Sequence, residues 1–561
     1  MDKKIAFSVL LGSAVMLTGC GKKMNQFAAD YFTTNPNPLE VVGQNVPATV
    51  TGNIPPKFFV KNATVTVTPY LTFDNQEVAG NSMTFQGEKV RGNNRVISYD
   101  NGGTVTIPVN YVYQPEMQRS ELYLGFTVDQ KGKQYVLPRV KVADGVIATA
   151  AIADAASVDP AIAPDKFQRI INEKYKADIL FLINVANLRD SQLNSAEMKA
   201  WNENVAAANA DKNREIKELN IESYASPDGP YAFNAQLAEK RETNTKGYLE
   251  KKLKKDNITE FGELTANFTP EDWEGFQKLV SESNIQDKDL ILSVLKMYQD
   301  PEIRDREIRN MTSVFDELAE TILPRLRYSR LTASVDVIGK SDAEINQAFD
   351  TNPSSLTVDE LLYAATLTDD LNRQKAIYTA ATKVYPNDFR GFNNLGNVLY
   401  QQGDYDGAMN AFKKASSINP ASAEAQMNQG LVALLNNDFK AANQAFGKAG
   451  GLPELGSALG VYYLQQGDVN AAVKAFGNDK SNNAALAQLL SKDYSKAKTT
   501  LSAIQNPDAT TYYLMAVLGA RTNNEQTVLS NLRQAIKLDN SLAKQAANDL
   551  EFSRFNISSV L

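Results

Sequence analysis

The sequence predicts a multidomain chain: an N-terminal all-β sandwich, a central α/β (α+β) domain and a C-terminal all-α repeat solenoid. Three observations predict it. Apolar and hydroxyl residues alternate in several runs between 63 and 128. From 178 to 337, apolar strand-like runs interleave with stretches rich in Ala, Glu, Lys and Asn. From residue 396, Gly, Ala and Phe recur with one fixed internal spacing in three successive units. At roughly 100–200 residues per domain, 561 residues fit three or four domains. The chain is 43% hydrophobic and 22% charged, so each domain can build its own core.

Two absences narrow the function. The chain has no histidine and one cysteine, Cys20. Ser-His-Asp and Cys-His nucleophile systems, histidine bases, histidine metal sites and intrachain disulfides are therefore closed to it. Paired carboxylates such as Asp300/Glu302 and Glu271/Asp272 lie in no catalytic motif. The expectation is a protein that is not an enzyme, with no cofactor and no metal. A net charge of −7 supplies no basic field for nucleic acid.

Residues 1–19 read as a signal peptide: Lys3 and Lys4 precede an apolar run, Ile5 to Leu17, too short to span a bilayer. Leu17-Thr18-Gly19-Cys20 resembles a bacterial lipobox. That resemblance implies cleavage before Cys20 and acylation of it, with several acyl chains anchoring the protein in a membrane. Residues 20–38 have no clear period and read as a tether ending in Asn35-Pro36-Asn37-Pro38.

The β domain is expected over 39–150. Alternation puts Val65, Val67, Val105, Ile107 and Val109 on buried faces. Asp74-Asn75, Arg91-Gly92-Asn93-Asn94 and Asn101-Gly102-Gly103 are turn signals. Pro108 inside a run marks an edge strand or bulge.

The central domain is expected over 165–345. Phe167–Tyr175 reads as a helix, 178–183 as a strand, 192–215 as a helix and Leu219 onward as a strand entering a turn. Phe233 to Leu249 reads as a helix and 331–337 as a last strand. These residues resemble the OmpA-like peptidoglycan-binding domain. The match runs loosely through Asn184 and Leu188, then through Tyr224, Gly229, Asn234, Leu237, Glu239 and Arg241 at the family's spacing. The strand after Leu323-Pro-Arg-Leu-Arg fits the family's closing strand. The resemblance implies recognition of diaminopimelate in a peptidoglycan stem peptide, with Arg241 as its carboxylate ligand and Asn234 close by. Ser226 stands where the family has an aspartate, and Asp228, in the same turn, is its candidate substitute. The segment 251–320 reads as an insertion. The alternative is a fold that has lost its ligand.

Helical repeats are expected over 355–553. Residues 389–422 form a unit of the tetratricopeptide (TPR) type, with Phe392, Leu395, Gly396, Ala408, Phe412, Ala415 and Pro420 at the pattern's positions. Gly430, Ala442 and Phe446, then Gly460, Ala472 and Phe476, repeat it. Ala497 and Leu501 mark a shortened copy, Leu532 and Ala535 a divergent one. Residues 356–384 read as an incomplete leading repeat, and Ser541 to Phe552 as a cap. Phe412 is expected to fill the space under the next repeat. The resemblance to TPR domains implies a concave groove for a protein partner, lined by Arg390, Asn393, Asn397 and Tyr400 and then by Met427, Leu431 and Leu434.

The combination resembles OmpA-like/TPR lipoproteins of the Bacteroidetes envelope. The expected protein is a non-catalytic scaffold held on the periplasmic side of the outer membrane through Cys20. It touches peptidoglycan through the central domain and recruits protein partners through the repeats. The second reading is a pure assembly adaptor, for example a component of a secretion machinery, whose central domain binds no wall.

Overall fold

The computed structural model describes residues 23–310 and 312–561; the predicted leader and Cys20 lie outside the described residues. It resolves into two compact units, one of residues up to Pro164 with Asp370–Leu561, the other Asp165–Asp369.

The alternating runs form strands because branched and hydroxyl side chains suit a pleated sheet with one buried face. In order these are β1 (Phe32–Asn35), β2 (Leu39–Glu40), β3 (Asn45–Ile54), β4 (Ala63–Phe73), β5 (Gln76–Ala79), β6 (Met83–Gly87), β7 (Arg95–Ile97), β8 (Gly103–Val112), β9 (Ser120–Gln130), β10 (Lys133–Asp144) and β11 (Val146–Ile147). One sheet runs β1-β3-β8 and the other β10-β9-β4-β6-β7, with β5 on β4; β2 and β11 form a short parallel pair. Val46, Val50 and Ile107 of the first sheet share a core with Val65, Leu122 and Val128 of the second. The five predicted core residues are all buried. Pro108 lies on β8, the edge of its sheet, as its missing N–H requires.

The tether expected over 20–38 is corrected by the packing of its described part. Phe27 stacks on Phe126 with ring centroids 4.2 Å apart, and β1 pairs with β3 from Phe32↔Gly52 to Asn35↔Thr49. The stretch shows no period because it contributes aromatic plugs around a 3-10 turn, Ala29–Tyr31, and one short strand.

The second unit begins with β12 (Ile170–Leu180), α1 (Asp190–Leu193), α2 (Ala196–Ala210), β13 (Arg214–Tyr224), α3 (Tyr231–Lys255) and β14 (Glu263–Thr269). Helices α4 (Trp273–Glu282), α5 (Lys288–Met297), α6 (Pro301–Arg309) and α7 (Thr312–Thr321) follow, then β15 (Tyr328–Ile338), α8 (Asp342–Thr351) and α9 (Val358–Ala364). The sheet order is β12-β15-β13-β14, with β13 and β14 parallel and β15 antiparallel to both its neighbours. Ile179, Ile221 and Leu331 of the sheet share a core with Trp201 of α2 and Leu249 of α3.

Three expectations fail here. Residues 170–175 are strand, not helix, pairing with β15 without a break from Ile170↔Ile338 to Leu180↔Tyr328. Most of its N-terminal half is solvent-exposed, so no apolar alternation marks it as a strand. The supposed insertion 251–320 contains β14, a strand of the sheet itself, while α4–α6 build a separate small core from Phe276, Val280, Ile291 and Ile308. The leading half-repeat is split: α9 belongs with the second unit, where Tyr363 stacks on Phe167 at 4.3 Å and Glu360 pairs with Lys340 at 2.9 Å.

The repeat array runs from α10 (Leu371–Val384) through the pairs α11 (Phe389–Gln401) and α12 (Tyr405–Ile418), α13 (Ala423–Leu435) and α14 (Phe439–Phe446), α15 (Leu455–Gln466) and α16 (Val469–Phe476), α17 (Asn482–Leu490) and α18 (Tyr494–Ser502), and α19 (Ala509–Arg521) and α20 (Glu525–Leu538), to α21 (Leu542–Asn548). Each of α12, α14, α16 and α18 starts at an aspartate N-cap: Asp404, Asp438, Asp468 and Asp493. A Cβ on Gly396, Gly430 or Gly460 would lie 2.5–2.6 Å from the ring of Phe412, Phe446 or Phe476. The phenylalanine therefore fills the crossing within its own repeat, where only glycine leaves room.

The β layers and the array, each with its own core, pack into one compact unit. Glu551, after α21, accepts a hydrogen bond from Thr149 at 2.6 Å and pairs with Arg521 of α19 at 2.5 Å. Tyr513 donates to buried Asp549 at 2.6 Å.

Candidate functional site

The inner surface of the array is occupied by the chain itself. After β11 and a 3-10 turn, residues 153–164 run through the repeats without regular secondary structure. The groove residues expected from the sequence meet this segment. Asn393 donates to the carbonyl of Ala161 at 2.9 Å and Asn397 to that of Pro160 at 2.7 Å. Tyr400 donates to the carbonyl of Ala155 at 2.7 Å, and burial pushes its hydroxyl pKa above the usual phenol value. Arg390 pairs with Asp388 at 2.8 Å and reaches the carbonyl of Pro164. Met427, Leu431 and Leu434 are fully buried, in one cluster with Ala155, Val158 and Ala161. The expected apolar middle of the groove is thus core beneath a bound segment.

The strongest contacts were missed from sequence. Asn428 accepts from the N–H of Ala161 at 2.7 Å and donates to its carbonyl at 2.8 Å. Asn394 does the same to Ala163, at 2.9 and 3.0 Å, and Asn483 to Asp154, at 3.0 and 2.8 Å. A side-chain amide can hold both main-chain groups of one residue because it carries a donor and an acceptor side by side. Asn394 and Asn428 stand two residues before the repeat glycines Gly396 and Gly430. Asn483 stands at the same place before Ala485, which lies at the interval before Ala497 that separates Gly396 from Ala408. An asparagine recurring at one repeat position was the available signal.

The other candidate lies at the end of the second unit's sheet where β12 and β13 finish. Arg241 of α3 is 0% exposed. Its guanidinium donates to three main-chain carbonyls: Tyr224 at 2.8 Å, Leu182 at 3.1 Å and Val185 at 3.0 and 3.1 Å. Its carbon lies 4.9 Å from the centre of the Phe181 ring. Burial, and secondarily Arg327, push its pKa down to about 10. Asp228 accepts from Ser226 and pairs with Arg327 at 3.0 Å, and Arg327 also donates to Ser226 at 3.0 Å. Asn234 donates to the carbonyls of Ser226 and Gly229 and to Glu271 at 3.1–3.2 Å. The four sequence candidates are brought together, and each is engaged inside the protein.

Among the described residues no helix is long and apolar enough to cross a membrane, and no cluster of metal-ligating side chains is found. The TPR repeat family model matches residues 396–436, and the C-terminal region carries TPR repeats. No curated protein matches this chain. Similar solved structures include the APC/C hetero-tetramer Cut9–Hcn1, with 15% identity over 38% of this chain and 44% of that one and a TM-score of 0.32. This chain therefore spans under half of that relative's length. Others are a tetratricopeptide repeat protein from Parabacteroides merdae (15% identity, 36% and 88% covered, TM-score 0.30) and pilF of Pseudomonas aeruginosa (16%, 38% and 99%, TM-score 0.29).

Proposed function

We propose that this chain is a non-catalytic assembly scaffold of a bacterial cell envelope, anchored through acylated Cys20 and facing the periplasm from the outer membrane. Its TPR repeats support protein partners. Its central unit is an OmpA-like domain that retains the fold without the diaminopimelate pocket. The observation that carries this reading is Arg241. A carboxylate ligand needs guanidinium N–H groups free and accessible. Here the side chain is fully buried, and its donors are directed at the carbonyls of Leu182, Val185 and Tyr224. Asp228, the substitute for the family aspartate, is engaged in an ion pair with Arg327.

The test is co-sedimentation of residues 21–561 with purified peptidoglycan sacculi. The protein is expected in the supernatant. The competing reading, wall contact through Arg241, Asp228, Ser226 and Asn234, requires it in the pellet. For the anchor, a Cys20→Ser chain expressed in the native host is expected to leave the detergent phase on phase partition. Retention there would refute acylation at that residue.

A further inference from the structure

We infer that residues 153–164 are a displaceable peptide ligand that the repeat groove holds in cis. A partner segment of the same chemistry takes its place: a main chain free of helix and strand, with Ala, Val or Pro at the positions facing the array. This rests on the scaffold reading above and specifies its partner.

Recognition is directed at the main chain. Asn394, Asn428 and Asn483 each exchange two hydrogen bonds with the N–H and C=O of one residue, as a neighbouring strand would. Asn393 adds a second donor to the carbonyl of Ala161, and Asn397 and Tyr400 donate to those of Pro160 and Ala155. Asn483 also donates to the hydroxyl of Ser157 at 2.9 Å; the other contacts named are to the main chain alone. Apart from that hydroxyl, what the groove selects is size. Ala155, Val158, Pro160, Ala161 and Ala163 are buried, whereas Asp154, Ser157, Asp159, Ile162 and Pro164 are exposed. Small side chains turned in, with main-chain bonds supplying affinity, are the marks of peptide recognition in a groove. The segment has no helix or strand of its own; beyond one turn, closed by the Val158 N–H on the carbonyl of Ala155 at 3.1 Å, it is held by the asparagines of the array.

Tethering sets the behaviour. A segment joined to its site is present at an effective concentration of about 1 mM. For an intrinsic Kd of about 10 μM, a competing peptide then binds about 100-fold more weakly than to an empty groove. A partner gains entry only if it is concentrated by a second contact, as two proteins held at one membrane surface are.

The probe is a fluorescein-labelled peptide of residues 153–164, titrated by anisotropy into the full chain. The parent is expected to bind it with an apparent Kd of about 1 mM. An Ala161→Asp/Ala163→Asp chain, whose own segment no longer fits, is expected to bind about 100-fold more tightly. Adding Asn394→Ala and Asn428→Ala to that chain is expected to abolish binding. A peptide N-methylated at Ala161 and Ala163, with those donors removed, is expected to fail. A folded segment variant that binds no peptide would overturn the inference, as would binding indifferent to the asparagines. If the segment variant does not fold, amide exchange of the parent decides the matter. Excess unlabelled peptide is expected to accelerate exchange at Ala161 and Ala163, and unchanged rates would make the segment a fixed part of the unit. The sacculus experiment tests the scaffold reading without touching the groove, so either idea can fail alone.

Discussion

Replacing Arg241 by alanine separates a structural from a ligand-binding guanidinium. The change strips the donors from three main-chain carbonyls, those of Leu182, Val185 and Tyr224. At about 2 kcal/mol for each buried acceptor left unsatisfied, the loss is about 6 kcal/mol. Against this, the cation itself is costly to bury: its pKa is pushed from 12.5 to about 10, which at ~1.4 kcal/mol per unit corresponds to about 3 kcal/mol. Removing it recovers that part. The net destabilisation is about 3 kcal/mol, confined to the second unit. The assay follows from the composition. The chain has two tryptophans, Trp201 and Trp273, both in that unit, so fluorescence during urea unfolding reports on it alone. With a slope of about 2 kcal/mol per molar urea, the midpoint should fall by about 1.5 M. Arg241→Lys keeps the charge without the fork and should lie between parent and alanine variant. A midpoint shift below about 0.3 M would refute the account, because it would mean that the guanidinium holds nothing in the free protein.

Three further outcomes are expected. Gly430→Ala should gain about 1 kcal/mol in helix propensity yet lose stability overall by about 1–3 kcal/mol, because its Cβ would lie 2.5 Å from the Phe446 ring. Thermal unfolding followed by helical dichroism checks it, and a second substitution, Phe446→Leu, should recover most of the loss; a raised Tm would contradict the packing argument. Phe27→Ala should cost about 3 kcal/mol and accelerate amide exchange in β1 and β9, where a free tether would show no effect. Asp549 is buried and its pKa is raised above 3.8, so the folded state holds its proton more tightly than the unfolded one. Stability from this group is present at low pH and falls as pH rises from 3.8 through the folded value. Asp549→Asn should remove that slope, so the parent-minus-variant difference should decrease with rising pH; an increase would reverse the sign of the argument.

Legibility in the sequence followed the range of the interactions. The glycine, alanine and phenylalanine of the repeats were readable because they meet within one helix pair: Gly396 and Phe412 are neighbours in space through a single turn. The alternating valines were readable because period two is a local property of a strand with one wet face. Residues 170–175 misled because that part of β12 is largely exposed, so Asn172, Glu173 and Lys174 stand where an apolar alternation would otherwise have marked a strand. Strand β14 escaped because its residues are at most half-buried at the sheet's edge. Phe27 and Phe32 escaped because they fill a core made by distant strands.

The two candidate sites divide along the same line. The fixed Gly, Ala and Phe spacing made the repeat array and its glycine crossings readable from the chain alone, and the resemblance to TPR domains implied groove positions at Arg390, Asn393, Asn397 and Tyr400. The resemblance to the OmpA-like domain implied Ser226, Asp228, Asn234 and Arg241 as a group. What those side chains hold was set by tertiary packing. Asparagine and arginine donate equally well to a ligand and to a main-chain carbonyl, and which they meet depends on where the backbone of residues 153–164 or 182–185 comes to lie. That is a long-range packing outcome, and no local pattern of residues encodes it.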